Sequence, residues 1–289
     1  MITFPIAKIN LGLNVVERRP DGYHNLETVF YPVHITDALE LTMMNTKFPS
    51  SVDCDINVTN IKTKGDEQLQ SVMSLCSTDN LVVRAYQLLK QDFSQMPRVH
   101  AHLWKGIPTQ AGMGGGSSDC AYTIRLLNEM FTLGLSEQQM MNYAARLGAD
   151  CAFFILSRPA YAEGIGEKLQ PISLDLSNYY IGVVRPDIPV STKEAFSLIK
   201  PQRPPKCCRD VVMQPVETWR DELTNDFEKS VFALYPEIEA IKQQLYDLGA
   251  VYAAMSGSGS SVFGIFRNEI EIKEHFPKEM FTYFAPMTK

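Results

Sequence analysis

The residues best suited to chemistry lie in Pro108-Thr109-Gln110-Ala111-Gly112-Met113-Gly114-Gly115-Gly116-Ser117-Ser118-Asp119. Four glycines fall within five residues, followed by two hydroxyls and an acid. Glycines admit positive φ and leave no side chain between backbone and ligand. Apolar residues then recur at helical spacing through Ala121, Ile124, Leu127 and Phe131. A glycine-rich turn feeding a helix N-terminus can gather several N–H groups on one anion, and the helix dipole favours negative charge there. The expected ligand is a phosphate chain. The stretch is not a P-loop, because no Lys follows the glycines in G-x-x-x-x-G-K-[ST] order. Nor does it complete G-x-G-x-x-G from Gly112 or Gly114.

Other chemical groups are scattered along the chain. Lys8 is the one charge in an apolar, β-branched run from Ile2 to Val16, and Asn10 would share its face on a strand. A surface lysine on an edge strand would look the same. Pro20-Asp21-Gly22 is turn chemistry, and Tyr23-His24 follow it, suited to stacking on and bonding to a flat ligand or simply to a hairpin. Asp150 opens the apolar stretch Cys151–Leu156, where a carboxylate either caps a helix or needs a partner if buried. His100 and His102 alternate on one strand face, a spacing that metal can use, but no third ligand is evident. Ser256-Gly257-Ser258-Gly259-Ser260-Ser261 reads as a tight turn with a weaker ligand signal.

These groups need a scaffold. The 289 residues suit two domains, with a composition shift near Leu156–Pro159. The spacing predicts strands over 2–16, 27–33, 38–44, 52–59, 98–104, 160–163, 179–185, 251–255 and 262–266. Residues 60–78 read as a polar surface excursion. Helices are expected from the Asn80 cap, after the glycine loop, and from the Ser136 capping box to a Gly148 C-cap. A short helix follows Ser191, and two more cover about 226–233 and 236–248.

Composition narrows the function. Apolar content of 45% and charged content of 21% describe a soluble globular chain. A formal net charge of -6 argues against nucleic-acid binding. No run approaches a membrane span, and the N-terminus lacks the order of a signal peptide. Six cysteines without a C-x-x-C fit reduced thiols in a cytoplasm.

An early strand with Lys8, the glycine-serine loop and the late Ser-Gly-Ser-Gly-Ser turn, in that order, resemble the three motifs of the GHMP kinases. Ala7-Lys8-Ile9-Asn10-Leu11, Asp21-Gly22-Tyr23-His24, Asp79-Asn80-Leu81, Leu147-Gly148-Ala149-Asp150 and Met255 through Gly259 extend the match over nearly the whole chain. The resemblance implies an α+β, two-lobed fold. Residues 1–157 would be a lobe like ribosomal protein S5 domain 2, and residues 158–289 a ferredoxin-like lobe. It implies a kinase using ATP and Mg²⁺, and a cytidyl-linked methylerythritol phosphorylated on its 2-hydroxyl. Asp150 matches the family's general base and Lys8 its catalytic lysine, which would favour the charged carboxylate. Pro108, Thr109, Gln110, Ala111, Gly112, Met113, Gly114, Gly115, Gly116, Ser117 and Ser118 would wrap the triphosphate. Asn80, Leu81 and Lys105 fall where the family contacts adenosine. Asn10, Tyr23 and His24, with Thr192 and Phe196 from the second lobe, fall where it holds the cytidyl substrate. The match assigns no metal ligands and no oligomeric state. The chain departs from the family pattern at Met113 and Cys120, for Leu and Ala, and at Cys151-Ala152, for Val-Pro.

Three other readings are distinguishable. A GHMP kinase for a sugar or homoserine would not need Tyr23-His24 after Asp21-Gly22. A nucleotide sensor without turnover would dispense with Lys8 or Asp150. An RNA binder on the S5-like lobe would be basic.

Overall fold

The computed structural model describes residues 1–45, 52–59 and 78–287. The polar stretch 60–77 lies outside them. The described chain mixes helices with three four-stranded sheets and divides into two compact units, each assembled from several stretches. The first comprises Met1–Ala7, His34–Thr109 and Gly114–Ser157, and the second Lys8–Val33, Gln110–Met113 and Arg158–Lys289.

The expected strand over 2–16 is broken at Phe4-Pro5. Proline has no N–H to give a ladder. Strand β1 (Ile2–Thr3) ends before it, and β2 (Ile6–Arg18) begins after it in a different sheet. After β3 (His24–Thr36), β4 (Ala38–Met43) pairs antiparallel with both β1 and β6 (Val99–Trp104). Strand β5 (Cys54–Thr59) runs parallel to β6, giving the order β1-β4-β6-β5 in the first unit. Alternation sorts this sheet's faces: Val99, Ala101 and Leu103 are buried, while His102 and Trp104 are exposed. The helices Leu81–Asp92 and Gly115–Met130 pack on each other, and Cys151–Leu156 joins the latter.

The second unit holds two sheets. In one, β2 and β3 are followed by β7 (Ala160–Gly164) and β8 (Lys168–Pro171). In the other, β9 (Tyr180–Arg185) lies between β11 (Val262–Phe266) and β12 (Phe281–Pro286), with β10 (Tyr252–Met255) beyond β11. The helices Glu228–Leu234 and Pro236–Asp247 cover this sheet, the second opened by a proline at its first turn. Leu13 and Val15 of β2 join Val184, Val231, Ile241 and Val262 in one apolar core, so β2 is anchored along its length.

One expected helix end differs. The helix from Ser136 has its capping box but stops at Ala145, with Arg146 as its C-cap. Gly148 is not a left-handed terminator. A Cβ there would come 2.9 Å from Cys151 Sγ, so close packing, not positive φ, calls for glycine.

Candidate active site

The second unit carries Lys8. Strand β2 is buried from Ile6 to Val16, and Lys8 is only 3% exposed, so it is no edge-strand surface lysine. Burying an ammonium demands partners. Its Nζ donates to Asn10 Oδ1 at 2.6 Å and to the Gly112 carbonyl at 2.9 Å. It also sits 5.1 Å from the Phe30 ring centroid, a favourable cation–π distance. Asn10 is oriented in turn, donating to Thr28 Oγ1 at 2.9 Å, whose hydroxyl donates to the Gly12 carbonyl at 2.6 Å.

The first part of the glycine loop, Gln110–Met113, is held from two sides. The Lys8 amide donates to the Met113 carbonyl at 3.0 Å. The Ser256 hydroxyl donates to the Gly112 carbonyl at 2.9 Å, and the Ser261 amide to the Ala111 carbonyl at 3.3 Å. Gly112 has φ 71°, and a Cβ there would overlap the Ser256 carbonyl oxygen. The serine-glycine turn thus clamps the glycine loop. Sequence reading left its role open, because its partner lies 144 residues away. Asn225, absent from the sequence-based candidates, ties that turn down through both amide hydrogens.

The remainder of the loop belongs to the first unit. Gly114, at φ 72°, precedes the 16-residue helix Gly115–Met130, whose start has no side-chain cap. The first N–H groups of such a helix have no intrahelical acceptor, which is the arrangement an anion needs. A Cβ on Gly115 would meet Ile107 Cγ2 at 3.1 Å and Lys105 Nζ at 3.4 Å. A Cβ on Gly116 would lie 3.9 Å from Leu81 Cδ1. The adenosine-side candidates Leu81 and Lys105 therefore do gather at the helix start. Asn80 caps the Leu81–Asp92 helix, accepting from the Val82 amide at 2.8 Å. The Ser118 hydroxyl is fully buried and has no hydrogen-bond partner among the described residues.

Lys105, like Lys8, is a buried cation. It bridges Asp37 and Asp119, 2.7 Å from the latter. Asp37 also accepts from the Gly106 and Ile107 amides at 2.7 and 2.8 Å. Burial works against the Lys105 charge, but Asp119 and Asp37 outweigh it and its pKa is raised. Burial pushes Asp119 up to about 8, with Lys105 opposing and Asp37 adding.

Asp150 sits immediately before the Cys151–Leu156 helix, half-buried, and its carboxylate does not cap that helix. The segment abuts the glycine-loop helix, since a Cβ at Gly148 would lie 3.9 Å from Ser117 Oγ. The thiols of Cys120 and Cys151 hydrogen-bond to each other. Two departures from the family pattern are thus neighbours. Cys54, Cys120, Cys151, Cys207 and Cys208 are all unbridged.

The cytidyl-side candidates fall in the second unit. Tyr23 ends a turn closed by Arg19 and Asp21, and its side chain is 62% exposed. The His24 ring stacks on Phe196 with centroids 4.6 Å apart, and Phe196 meets the edge of Phe227 at 4.8 Å. The ring stacked on Phe196 is therefore His24. Thr192 opens a short helix set by a Ser191–Glu194 capping box and is exposed. His100 pairs with Asp55 at 3.1 Å, and among the described residues no group of three or more His, Cys, Asp or Glu is arranged to hold a metal. No helix among them is long and apolar enough to cross a membrane.

Comparison with known proteins accords with this geometry. Residues 80–158 match the model of the GHMP kinases N terminal domain, and residues 212–280 that of the GHMP kinases C terminal. A 4-diphosphocytidyl-2-C-methyl-D-erythritol kinase of Bacteroides fragilis is 52% identical over 94% of both chains. The one from Cytophaga hutchinsonii is 44% identical over 99% of this chain and 100% of its own. A solved structure of a 4-(cytidine 5'-diphospho)-2C-methyl-D-erythritol kinase, 30% identical, superposes with a TM-score of 0.74 over 92% of this chain and 90% of that one. Methanococcus jannaschii mevalonate kinase, at 13% identity and a TM-score of 0.70, covers 100% of this chain and 98% of its own and shares the fold. From both ends of the sequence and from the fold, this chain belongs to the GHMP kinases.

Proposed function

We propose that this chain transfers the γ-phosphoryl group of ATP to the 2-hydroxyl of 4-diphosphocytidyl-2-C-methyl-D-erythritol, a step of non-mevalonate isoprenoid precursor synthesis carried out in the cytoplasm. The observation that carries the reading is the buried Lys8 ammonium held on the Gly112 carbonyl, which fixes a positive charge to the glycine loop itself. Relatives that are 40–52% identical over most of the chain bear the name of that kinase. Residues 1–157 and 158–289 would be the family's N- and C-terminal domains.

Phosphoryl transfer is mostly positioning and charge stabilisation. ATP would enter as its Mg²⁺ complex. Pro108 through Ser118 would take the phosphates on backbone N–H groups, with Asn80, Leu81 and Lys105 on the adenosine side. Asp150 would accept the proton of the 2-hydroxyl as it attacks the γ-phosphorus. Lys8 would offset the negative charge that develops during transfer. Asn10, Tyr23, His24, Thr192 and Phe196 would hold the cytidyl substrate.

The test is a coupled ADP-release assay on the cytidyl substrate with wild type and Asp150→Asn. Turnover should fall by about 10²–10⁴-fold while ATP affinity by titration stays within about threefold. A variant that retains more than half the wild-type rate would remove Asp150 from the role of base. Wild type that turns over homoserine or a sugar but not the cytidyl alcohol would move the chain to another branch of the family.

A further inference from the structure

We infer that Asn225 is a positioning residue of the phosphoryl-transfer site, acting through the serine-glycine turn on the loop and lysine that do the chemistry; this rests on the kinase reading above. Asn225 is 3% exposed and lies between the Trp219–Glu222 and Glu228–Leu234 helices. Both hydrogens of its amide and its carbonyl oxygen are engaged. Nδ2 donates to the carbonyls of Met255 and Gly257 at 2.7 and 2.8 Å. Oδ1 accepts from the Phe227 amide at 3.0 Å. A buried amide so satisfied holds one orientation.

The two carbonyls it grips flank Ser256. Ser256 Oγ donates to the Gly112 carbonyl, the same oxygen that accepts the Lys8 ammonium, both at 2.9 Å. Asn225 is thus three hydrogen bonds removed from Lys8: amide to turn, turn to loop, loop to ammonium. Its own backbone is registered to the Lys8 strand. The Leu13 amide donates to the Thr224 carbonyl at 2.9 Å, and the Asp226 amide to the Leu13 carbonyl at 2.8 Å. The Asp226 carboxylate accepts the Val15 amide at 2.7 Å. The Thr224–Asp226 segment therefore fixes the distance between the strand that carries the charge and the turn that carries the loop. Only a side chain with two donors and one acceptor on this short stem fits. Aspartate keeps the Phe227 bond but turns an acceptor on both carbonyls.

The discriminating variant is Asn225→Asp, with Asn225→Ala as a second. Two readouts are taken together: steady-state kinetics across pH, and hydrogen exchange of the backbone amides of residues 111–113 and 256–261. We expect faster exchange in both segments and a kcat lowered by about a hundredfold, the scale of an ångström-sized misplacement. In Asn225→Asp, KM for the cytidyl substrate should stay within about threefold, because that variant keeps the Phe227 bond against which the His24–Phe196 stack rests. Lowering the pH should partly restore kcat in Asn225→Asp, since a protonated carboxyl regains one donor, and should not restore it in Asn225→Ala. A merely structural residue would lower thermal stability without that pH-dependent recovery. Unchanged exchange, or unchanged kcat in a loosened variant, overturns the proposal. Wild type that fails to phosphorylate the cytidyl alcohol counts against the kinase reading instead, and the exchange rates then decide whether the clamp exists.

Discussion

Lys8 Nζ lies 2.9 Å from the carbonyl oxygen of Gly112, a residue 104 positions along the chain. The bond joins a fixed charge to the backbone of the loop expected to carry phosphate. A charge-assisted bond of this kind is stronger than a neutral one. Whatever moves the loop therefore moves the charge with it. The pairing also explains why a lysine is tolerated at 3% exposure in the middle of an apolar strand.

Replacing that charge separates catalysis from folding. Lys8→Met keeps an unbranched apolar stem and removes the ammonium. Losing the ammonium leaves the buried Asn10 Oδ1 without its donor, a cost of about 1–3 kcal/mol that a folded domain can bear. The variant should remain folded by circular dichroism. Its kcat should fall by at least about a hundredfold, the usual cost of losing one donor to developing charge. A folded variant within about threefold of the wild-type rate would show that Lys8 serves structure alone.

Glycine at 112 faces two separate demands, and a second glycine isolates one of them. Gly112 and Gly134 have nearly the same φ, 71° and 74°. A Cβ at Gly134 meets nothing within 4 Å, whereas one at Gly112 overlaps the Ser256 carbonyl oxygen. Left-handed backbone costs an L-residue roughly 1–2 kcal/mol at either site. Gly134→Ala should lose about that much in urea unfolding with turnover unchanged. Gly112→Ala should lose clearly more and should also lose turnover. Equal stability losses would mean that the turn is not seated on the loop.

Much of this arrangement could be read from the sequence. The glycine loop, the helix that follows it, the Ser136 capping box and the Ser191 cap are local signals, carried by residues within a few positions of each other. The parts that escaped depend on distant partners. Nothing near Asn225 announces that its amide meets Met255 and Gly257. Strand β8 is four residues of Lys-Leu-Gln-Pro with little β-branching, and it forms only because β7 offers an edge. Strand β12 ends in Pro286, tolerable because β12 is the outer strand of its sheet. Nothing beside Lys105 in the sequence announces its partners Asp37 and Asp119, 68 and 14 positions away.

That buried cluster has a pH signature. Asp119 places one oxygen on Lys105, and its other, Oδ1, is buried with no hydrogen-bond partner among the described residues. Burial raises its pKa from 3.8 to about 8. Across that window the folded state holds a proton that the unfolded chain has released, so this group's contribution falls as pH rises. The amide of Asp119→Asn does not titrate. The Tm of the variant minus that of wild type should therefore increase between about pH 5 and pH 8. A difference that stays flat, or runs the other way, would show that Asp119 is ionised in the folded protein throughout.

The cytidyl end of the substrate offers the last prediction. Binding energy from a group remote from the reacting hydroxyl can be used to hold that hydroxyl in place. The His24 and Phe196 rings are already stacked at 4.6 Å, so a base cannot slide between them. Phe196 is further fixed by the edge of Phe227. The aromatic face left in solvent is Tyr23, 62% exposed on a turn braced by Arg19 and Asp21. Its truncation should leave the fold intact, as surface changes usually do. Stacking on a nucleobase is worth roughly 1–3 kcal/mol. Tyr23→Ala should therefore raise KM for the cytidyl substrate about tenfold or more, one factor of ten per ~1.4 kcal/mol. KM for ATP should stay within about threefold. Stacking alone accepts any base, so discrimination must come from groups that meet the polar edge of the ring, where the backbone at His24 is a candidate. Cytosine presents an amino donor where uracil presents an acceptor, and a mismatched buried edge leaves groups unpaired. The uridine analogue should accordingly be a poor substrate. Steady-state kinetics with both substrates varied decides it: an unchanged KM in Tyr23→Ala removes the stacking role, and equal use of the two nucleotides by wild type removes the edge recognition.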